Sequence, residues 1–156
     1  FFDVSRLRLT NSELEAAMDA LNPHLPGVKH LLLYGNFFTR FPTLDYETLA
    51  PTLLSIDLSN NQISTVPSAI TQLKALTTLD LRCNKIAEVP VELAGMTTLT
   101  HLLLSYNKIT AVPGAILKRP NLFLAVTGNQ LTDKKIIGSE GESNSKNSGG
   151  LLASFD

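Results

Sequence analysis

The sequence holds one cysteine, Cys83, so no disulfide can form within the chain. It has no run of eighteen apolar residues, and hence no segment that could cross a bilayer as an α-helix. Neither sign of charge dominates: 13 basic against 14 acidic side chains leave a net charge of −1, with no general attraction to nucleic acid or an acidic membrane. His24, His30 and His101 share no metal-ligand spacing, and there is no Gly-rich phosphate loop. No metal, cofactor or small-molecule ligand is expected. No signal peptide is visible, although a chain that opens on Phe1-Phe2 without methionine reads as an excised or processed fragment.

What is present is apolar and periodic. Hydrophobic residues are 44% of the chain, ample for the core of one domain. Three stretches, beginning at Leu53, Leu76 and Leu99, align at one constant offset. Counting the first residue as position zero, position three holds Ile56, Leu79 and Leu102, and position five holds Leu58, Leu81 and Leu104. Position eight is Asn61, Asn84 and Asn107, position ten is Ile63, Ile86 and Ile109, and position fourteen is Pro67, Pro90 and Pro113. The pattern drifts outward in both directions. Upstream, Val28 begins a unit with Leu31, Leu33, Asn36, Phe38 and Pro42, and Val4 begins one with Leu7 and Leu9 but Ser12 where the Asn belongs. Downstream, Asn129 and Leu131 return to register if one residue is lost, which makes Leu124 and Val126 the inward pair.

Alternation at positions three and five is that of a short strand with one buried face. The aliphatic residues at ten, thirteen, seventeen and twenty must come from a return segment, so each unit is a strand, a turn and an arc. One unit cannot bury both sets alone; stacked neighbours can. The Asn amide both donates and accepts, so Asn36, Asn61, Asn84, Asn107 and Asn129 are expected to hold the turn by satisfying backbone groups of their own unit and the next. The first arc is expected to be a helix, with Ser12 as N-cap and Glu15 completing a capping box. Leu14, Ala17, Met18 and Leu21 fall on one face of it, and Asn22-Pro23 ends it. The prolines restrict the later arcs to shorter turns.

The LxxLxLxxNxIxxVPxxIxxL spacing over positions 4–131 resembles the leucine-rich repeat family, and the unit length set by Leu53, Leu76 and Leu99 is similar to that of the intracellular Ras-group type. That resemblance implies an α/β solenoid: a right-handed horseshoe of about six parallel strands on the concave face, with short helical or extended convex segments. The repeat domain is expected to span residues 1–137, with units starting near 4, 28, 53, 76, 99 and 121, followed by a flexible linker or tail over 138–156. Either the native protein continues, or Thr132–Ile137 folds back as a cap. Secreted members commonly close both ends with disulfide-bonded cysteines, so one cysteine favours an intracellular, cytoplasmic setting.

Outward strand positions would line the concave face. By column these are Arg6, His30, Ser55, Thr78, His101 and Phe123 at position two; Arg8, Leu32, Asp57, Asp80, Leu103 and Ala125 at four; Thr10, Tyr34, Ser59, Arg82, Ser105 and Thr127 at six. Three groups stand out as partner-binding candidates: His30, Leu32 and Tyr34; Asp57, Asp80 and Arg82; and His101, Leu103, Tyr106 and Phe123. Exposed apolar and aromatic residues beside Arg are what an interaction surface shows.

No enzyme is expected. Asp57 and Asp80 would stand about 4.8 Å apart by strand spacing, near the separation in retaining glycosidases. The face is open, however, and Arg82 is placed to neutralise both. A Cys83–His101 nucleophile pair lacks an orienting third group, and Cys83 merely fills the slot of Asn60 and Tyr106. Arg6, Arg8 and Lys29 form a basic corner, yet the acids beside it argue against RNA. The reading is a module that binds a partner protein on its concave strands. The rival readings are the recognition segment of a larger ligase, kinase or GTPase and, less favoured, a component of an RNA–protein complex.

Overall fold

The computed structural model describes residues 1–21 and 26–132. Of the cap expected at Thr132–Ile137 only Thr132 is described, and the tail from Gly138, the helix stop at Asn22-Pro23 and the side chain of Leu21 lie outside the described residues. Six strands, β1 (Phe2–Asp3), β2 (His30–Leu32), β3 (Ser55–Asp57), β4 (Thr78–Asp80), β5 (His101–Leu103) and β6 (Phe123–Ala125), form one sheet in chain order. All neighbours are parallel, and the register follows the repeat: Leu31, Ile56, Leu79, Leu102 and Leu124 pair in succession. The residue missing from the last unit is absorbed before β6, where Asn121 takes a left-handed φ of 62° and Leu122 is buried.

Position-three and position-five residues from Leu31 to Val126 are all at most 2% exposed. They meet the return-segment residues Phe38, Ile63, Ile86 and Ile109, then Ile70, Leu93 and Ile116, in one continuous core. Each fully buried aliphatic side chain stabilises by about 1.5–3 kcal/mol, so the stack is the main source of stability. The prolines act as expected. Pro67, Pro90 and Pro113 are extended in ψ and introduce the 3₁₀ turns Ser68–Gln72 and Val91–Gly95 and the single-turn helix α3 (Gly114–Leu117), after α1 (Asn11–Leu21) and α2 (Tyr46–Leu49) earlier in the chain. Arg119 replaces the Leu73 and Met96 of position twenty; it donates to the Leu99 carbonyl at 2.9 Å, and burial lowers its pKa.

Two expectations are corrected in the first unit. The capping box lies two residues earlier than Ser12 and Glu15: the Thr10 N–H donates to Glu13 Oε2 at 2.8 Å, and Glu13 N lies 3.5 Å from Thr10 Oγ1. Donation from the Thr10 backbone, then from its hydroxyl, holds the Glu13 carboxyl below its usual range. Glu15 is thereby free to accept from Arg40 at 2.7 Å, which links α1 to the second unit.

The second correction is one of register. Phe2, not Leu7, is the partner of Leu31. Val4 follows as position five, Arg6 becomes position seven, and Leu9 becomes position ten, its N–H on the Asn36 carboxamide at 2.9 Å. Arg6 and Arg8 therefore leave the strand columns, and Leu7 is 60% exposed where the sequence reading turned it inward. The first unit, from Phe2 to Leu31, is longer than those that follow, because its arc carries the three turns of α1 rather than a single short turn. Leu7→Ala should accordingly change stability by less than about 0.5 kcal/mol, while Leu31→Ala costs about 2–5 kcal/mol. Equal losses in thermal melts would show the register to be wrong.

The asparagines form a ladder, though toward the preceding unit rather than the next. Asn84 accepts the Ile63 N–H at 2.9 Å and donates to the Leu58 carbonyl of that same unit at 3.0 Å and to its own Leu81 carbonyl at 3.1 Å. Asn36, Asn61, Asn107 and Asn129 repeat the arrangement. A second ladder runs beside it, in which the position-nine N–H donates to the position-ten carbonyl of the unit before, as Lys85 does to Ile63 and Lys108 to Ile86, both at 2.8 Å.

Candidate functional site

Strand alternation turns positions two, four and six away from the core, so the outward face of the sheet is a grid three columns wide. At its N-terminal end the corrected register brings in Phe1, which stacks on His30 with ring centroids 4.7 Å apart and planes at 22°. His30 Nδ1 lies 2.7 Å from Ser55 Oγ, bridging β2 to β3. Beyond the end of β2 the Arg6 guanidinium carbon sits 5.2 Å from the Tyr34 ring centroid, a cation–π contact. Leu32 is half-buried between these groups.

The centre is polar. Asp57 Oδ1 accepts from the Ser59 N–H at 2.9 Å and its hydroxyl at 2.7 Å. Asp80 is only 6% exposed. It accepts the Arg82 N–H at 3.1 Å, Arg82 Nε at 3.0 Å and Arg82 Nη2 at 2.6 Å. The bond to Asp80 raises the Arg82 pKa against the opposing effect of burial. What faces solvent here is therefore the Arg82 guanidinium, with Asp80 beneath it. In the first unit Asp3 takes the Ser5 N–H at 2.9 Å and hydroxyl at 2.6 Å in the same manner. Each aspartate at position four thus closes the end of its own strand.

At the C-terminal end His101 and Phe123 form a tilted pair with centroids 5.7 Å apart, and Leu103 is half-buried beside them. Tyr106 belongs to a different row. It stands at position seven, 61% exposed, with a φ of 60°. Its ring covers Gly128, where an added Cβ would lie 2.5 Å from Tyr106 Cδ1, so this glycine is needed for close approach as well as for its φ of 72°.

The ten candidate residues thus fall into two aromatic ends about a polar middle. Phe1, Asp3 and Ser5 join them, and were missed because Leu7 was read in the place that Phe2 occupies. Asp57 and Asp80 are register partners, but each is hydrogen-bonded within its own strand end. Among the described residues no cluster of His, Cys, Asp or Glu is placed to hold a metal ion, and no helix is long and apolar enough to cross a membrane.

Two family models match the chain: leucine-rich repeats in two copies over residues 51–93, and a leucine-rich repeat over residues 74–131. Among solved structures, it is similar to a leucine-rich repeat protein of Leptospira interrogans, with a TM-score of 0.61 and 30% identity over 76% of this chain and 35% of that one. It also resembles the leucine-rich repeat domain of a Shigella effector, with a TM-score of 0.55 and 24% identity over 69% of this chain and 44% of that one. The chain therefore spans less than half the length of either structure. No curated protein sequence matches it. The repeat matches, six-stranded parallel sheet and asparagine ladder agree: the chain belongs to the leucine-rich repeat family, whose domains are a common protein-interaction module.

Proposed function

We propose that this domain binds a partner protein on its concave strand face and performs no chemistry itself. The observation that carries the reading is the aromatic and apolar side chains at outward strand positions, Phe1, His30 and Tyr34 at one end and His101, Leu103 and Phe123 at the other. Nothing in the core requires them there, since the inward positions are filled separately. Buried aromatic anchors around a polar centre are the usual carriers of binding energy at protein interfaces. The strands are held at both ends by backbone and Asn bonds, so binding would need little reordering of the site. The exposed Cys83 thiol favours a reducing, intracellular setting.

Affinity capture tests the reading. Replacing His101 and Phe123 together by Ala, and separately Asp57, Asp80 and Arg82 together by Ala, should each reduce capture of the partner at least about tenfold. Val91→Ala, on an exposed convex residue, should leave it unchanged. Folding of each variant is checked by its melting curve, and wild-type capture by both folded variants would refute the concave site. A second reading, that the module is the recognition segment of a longer enzyme or signalling protein, draws support from the greater length of the two structures it resembles. It uses the same face.

A further inference from the structure

The loops that leave the strands, at positions seven to nine of each unit, carry an unusual charge pattern. Among the described residues these positions hold Arg6, Arg8, Lys85 and Lys108 and no carboxylate at all. The acids lie elsewhere: Asp3, Asp57 and Asp80 at position four, and Glu13, Glu15, Asp19, Asp45, Glu47, Glu88 and Glu92 on the arcs. A net charge of −1 thus conceals a rim free of carboxylates, beside arcs where Arg40, Lys74, Lys118 and Arg119 mix with the acids. Of the five large hydrophobic side chains exposed among the described residues, three also fall on this rim, Leu7 at 60%, Phe37 at 47% and Tyr106 at 61%.

The rim is rigid. Position seven has a φ between 55° and 72° in every unit, a left-handed turn that directs the side chain outward. Four non-glycine residues, Arg6, Asn60, Cys83 and Tyr106, occupy that conformation despite its cost of about 1–2 kcal/mol each. Position nine is pinned by the second backbone ladder, so Phe37, Gln62, Lys85, Lys108 and Gln130 form a row at the spacing of the repeat. Lys85 Nζ is further positioned by Gln62 Oε1 at 3.0 Å. Cations on a backbone held this way, interleaved with exposed apolar groups, define a surface with a chemical preference.

We infer that this rim is a second docking surface, distinct from the concave face, for an acidic segment of a partner protein that also carries apolar side chains. Its carboxylates would meet Arg8, Lys85 and Lys108, and its apolar groups Phe37 and Tyr106. Arg82, at position six, belongs to the concave columns and is already neutralised by Asp80. That leaves few free cations for phosphates, and the apolar members favour a peptide over a nucleic acid or lipid headgroups.

The test uses a fluorescein-labelled peptide of alternating Glu-Glu-Leu units, with fluorescence anisotropy as readout. Wild-type protein should bind it, with affinity falling as salt is raised. Lys85→Glu with Lys108→Glu should weaken binding about tenfold or more, since like charges then face each other. Phe37→Ser with Tyr106→Ser should weaken it at constant salt dependence. The His101, Phe123 double alanine variant should bind this peptide normally, which separates the rim from the concave site. The same assay is run with labelled oligouridine and with vesicles containing phosphatidylserine. No peptide binding, binding insensitive to the lysine reversals, or tighter binding of RNA or vesicles overturns the inference.

Discussion

Asn84→Ala is expected to lower the stability of the domain by about 2–3 kcal/mol. The side chain is 8% exposed and meets four backbone groups, the Arg82 carbonyl at 3.3 Å among them, which would suggest a larger loss; Arg82 O keeps the Asn60 N–H. The carbonyls decide the matter. Leu58 O accepts from Asn61 as well as Asn84, and Leu81 O from Asn107 as well as Asn84, so each keeps one donor after the substitution. Only the Ile63 N–H loses its partner outright, and a buried unsatisfied donor costs about 1–3 kcal/mol. The small cavity left by the amide adds the remainder. Asn129→Ala is the control: it removes a similar set of bonds from the Ile109 N–H and the Leu104 and Val126 carbonyls, but at a half-exposed site where water can replace them. Its cost should be less than half as great. Denaturant unfolding of both variants measures the difference, and a wild-type midpoint for Asn84→Ala would remove the ladder as a source of stability.

The same ladder explains what was legible in the sequence. Where the units keep the constant offset of Leu53, Leu76 and Leu99, apolar spacing alone located every strand and its register, and it also found the residue lost before Leu124. It did not fix the direction in which each Asn reaches, because spacing says that an amide bonds between units without saying to which side. The first unit failed for a different reason. Its longer offset, from Phe2 to Leu31, breaks the period, and Leu7 and Leu9 then offer a false match. The better signal was the text Phe2-Asp3-Val4-Ser5, which parallels Ile56-Asp57-Leu58-Ser59: in both, the aspartate takes the N–H and hydroxyl of the serine two residues on. Polar chemistry at a strand end was more diagnostic there than apolar periodicity. The columns of the candidate site were readable for the later units, but the burial of Asp80 beneath Arg82 was not, since spacing gives a column and not the rotamer within it.

Phe38→Ala should have the largest effect of any single substitution, about 3–5 kcal/mol. Phe38 is the largest fully buried side chain and occupies position ten, where the next three units carry Ile63, Ile86 and Ile109. Its backbone serves both ladders, donating to Asn61 Oδ1 at 3.1 Å and accepting from the Gln62 N–H at 2.8 Å. Alanine keeps those bonds, so the loss is one of packing: contacts forfeited on a cavity wall too apolar to hold water. Phe38→Ile, which restores the residue of the following units, should recover more than half of the loss. Because each unit touches only its neighbours, the damage should also be local. Under native conditions amide exchange at Phe37 and Gln62 should accelerate more than at Lys108 and Gln130, which the intact C-terminal units still hold. A loss below about 1 kcal/mol would mean that position ten is not closely packed. Equal acceleration along the whole ladder would instead show that the six units open together, as one cooperative body rather than a chain of neighbours.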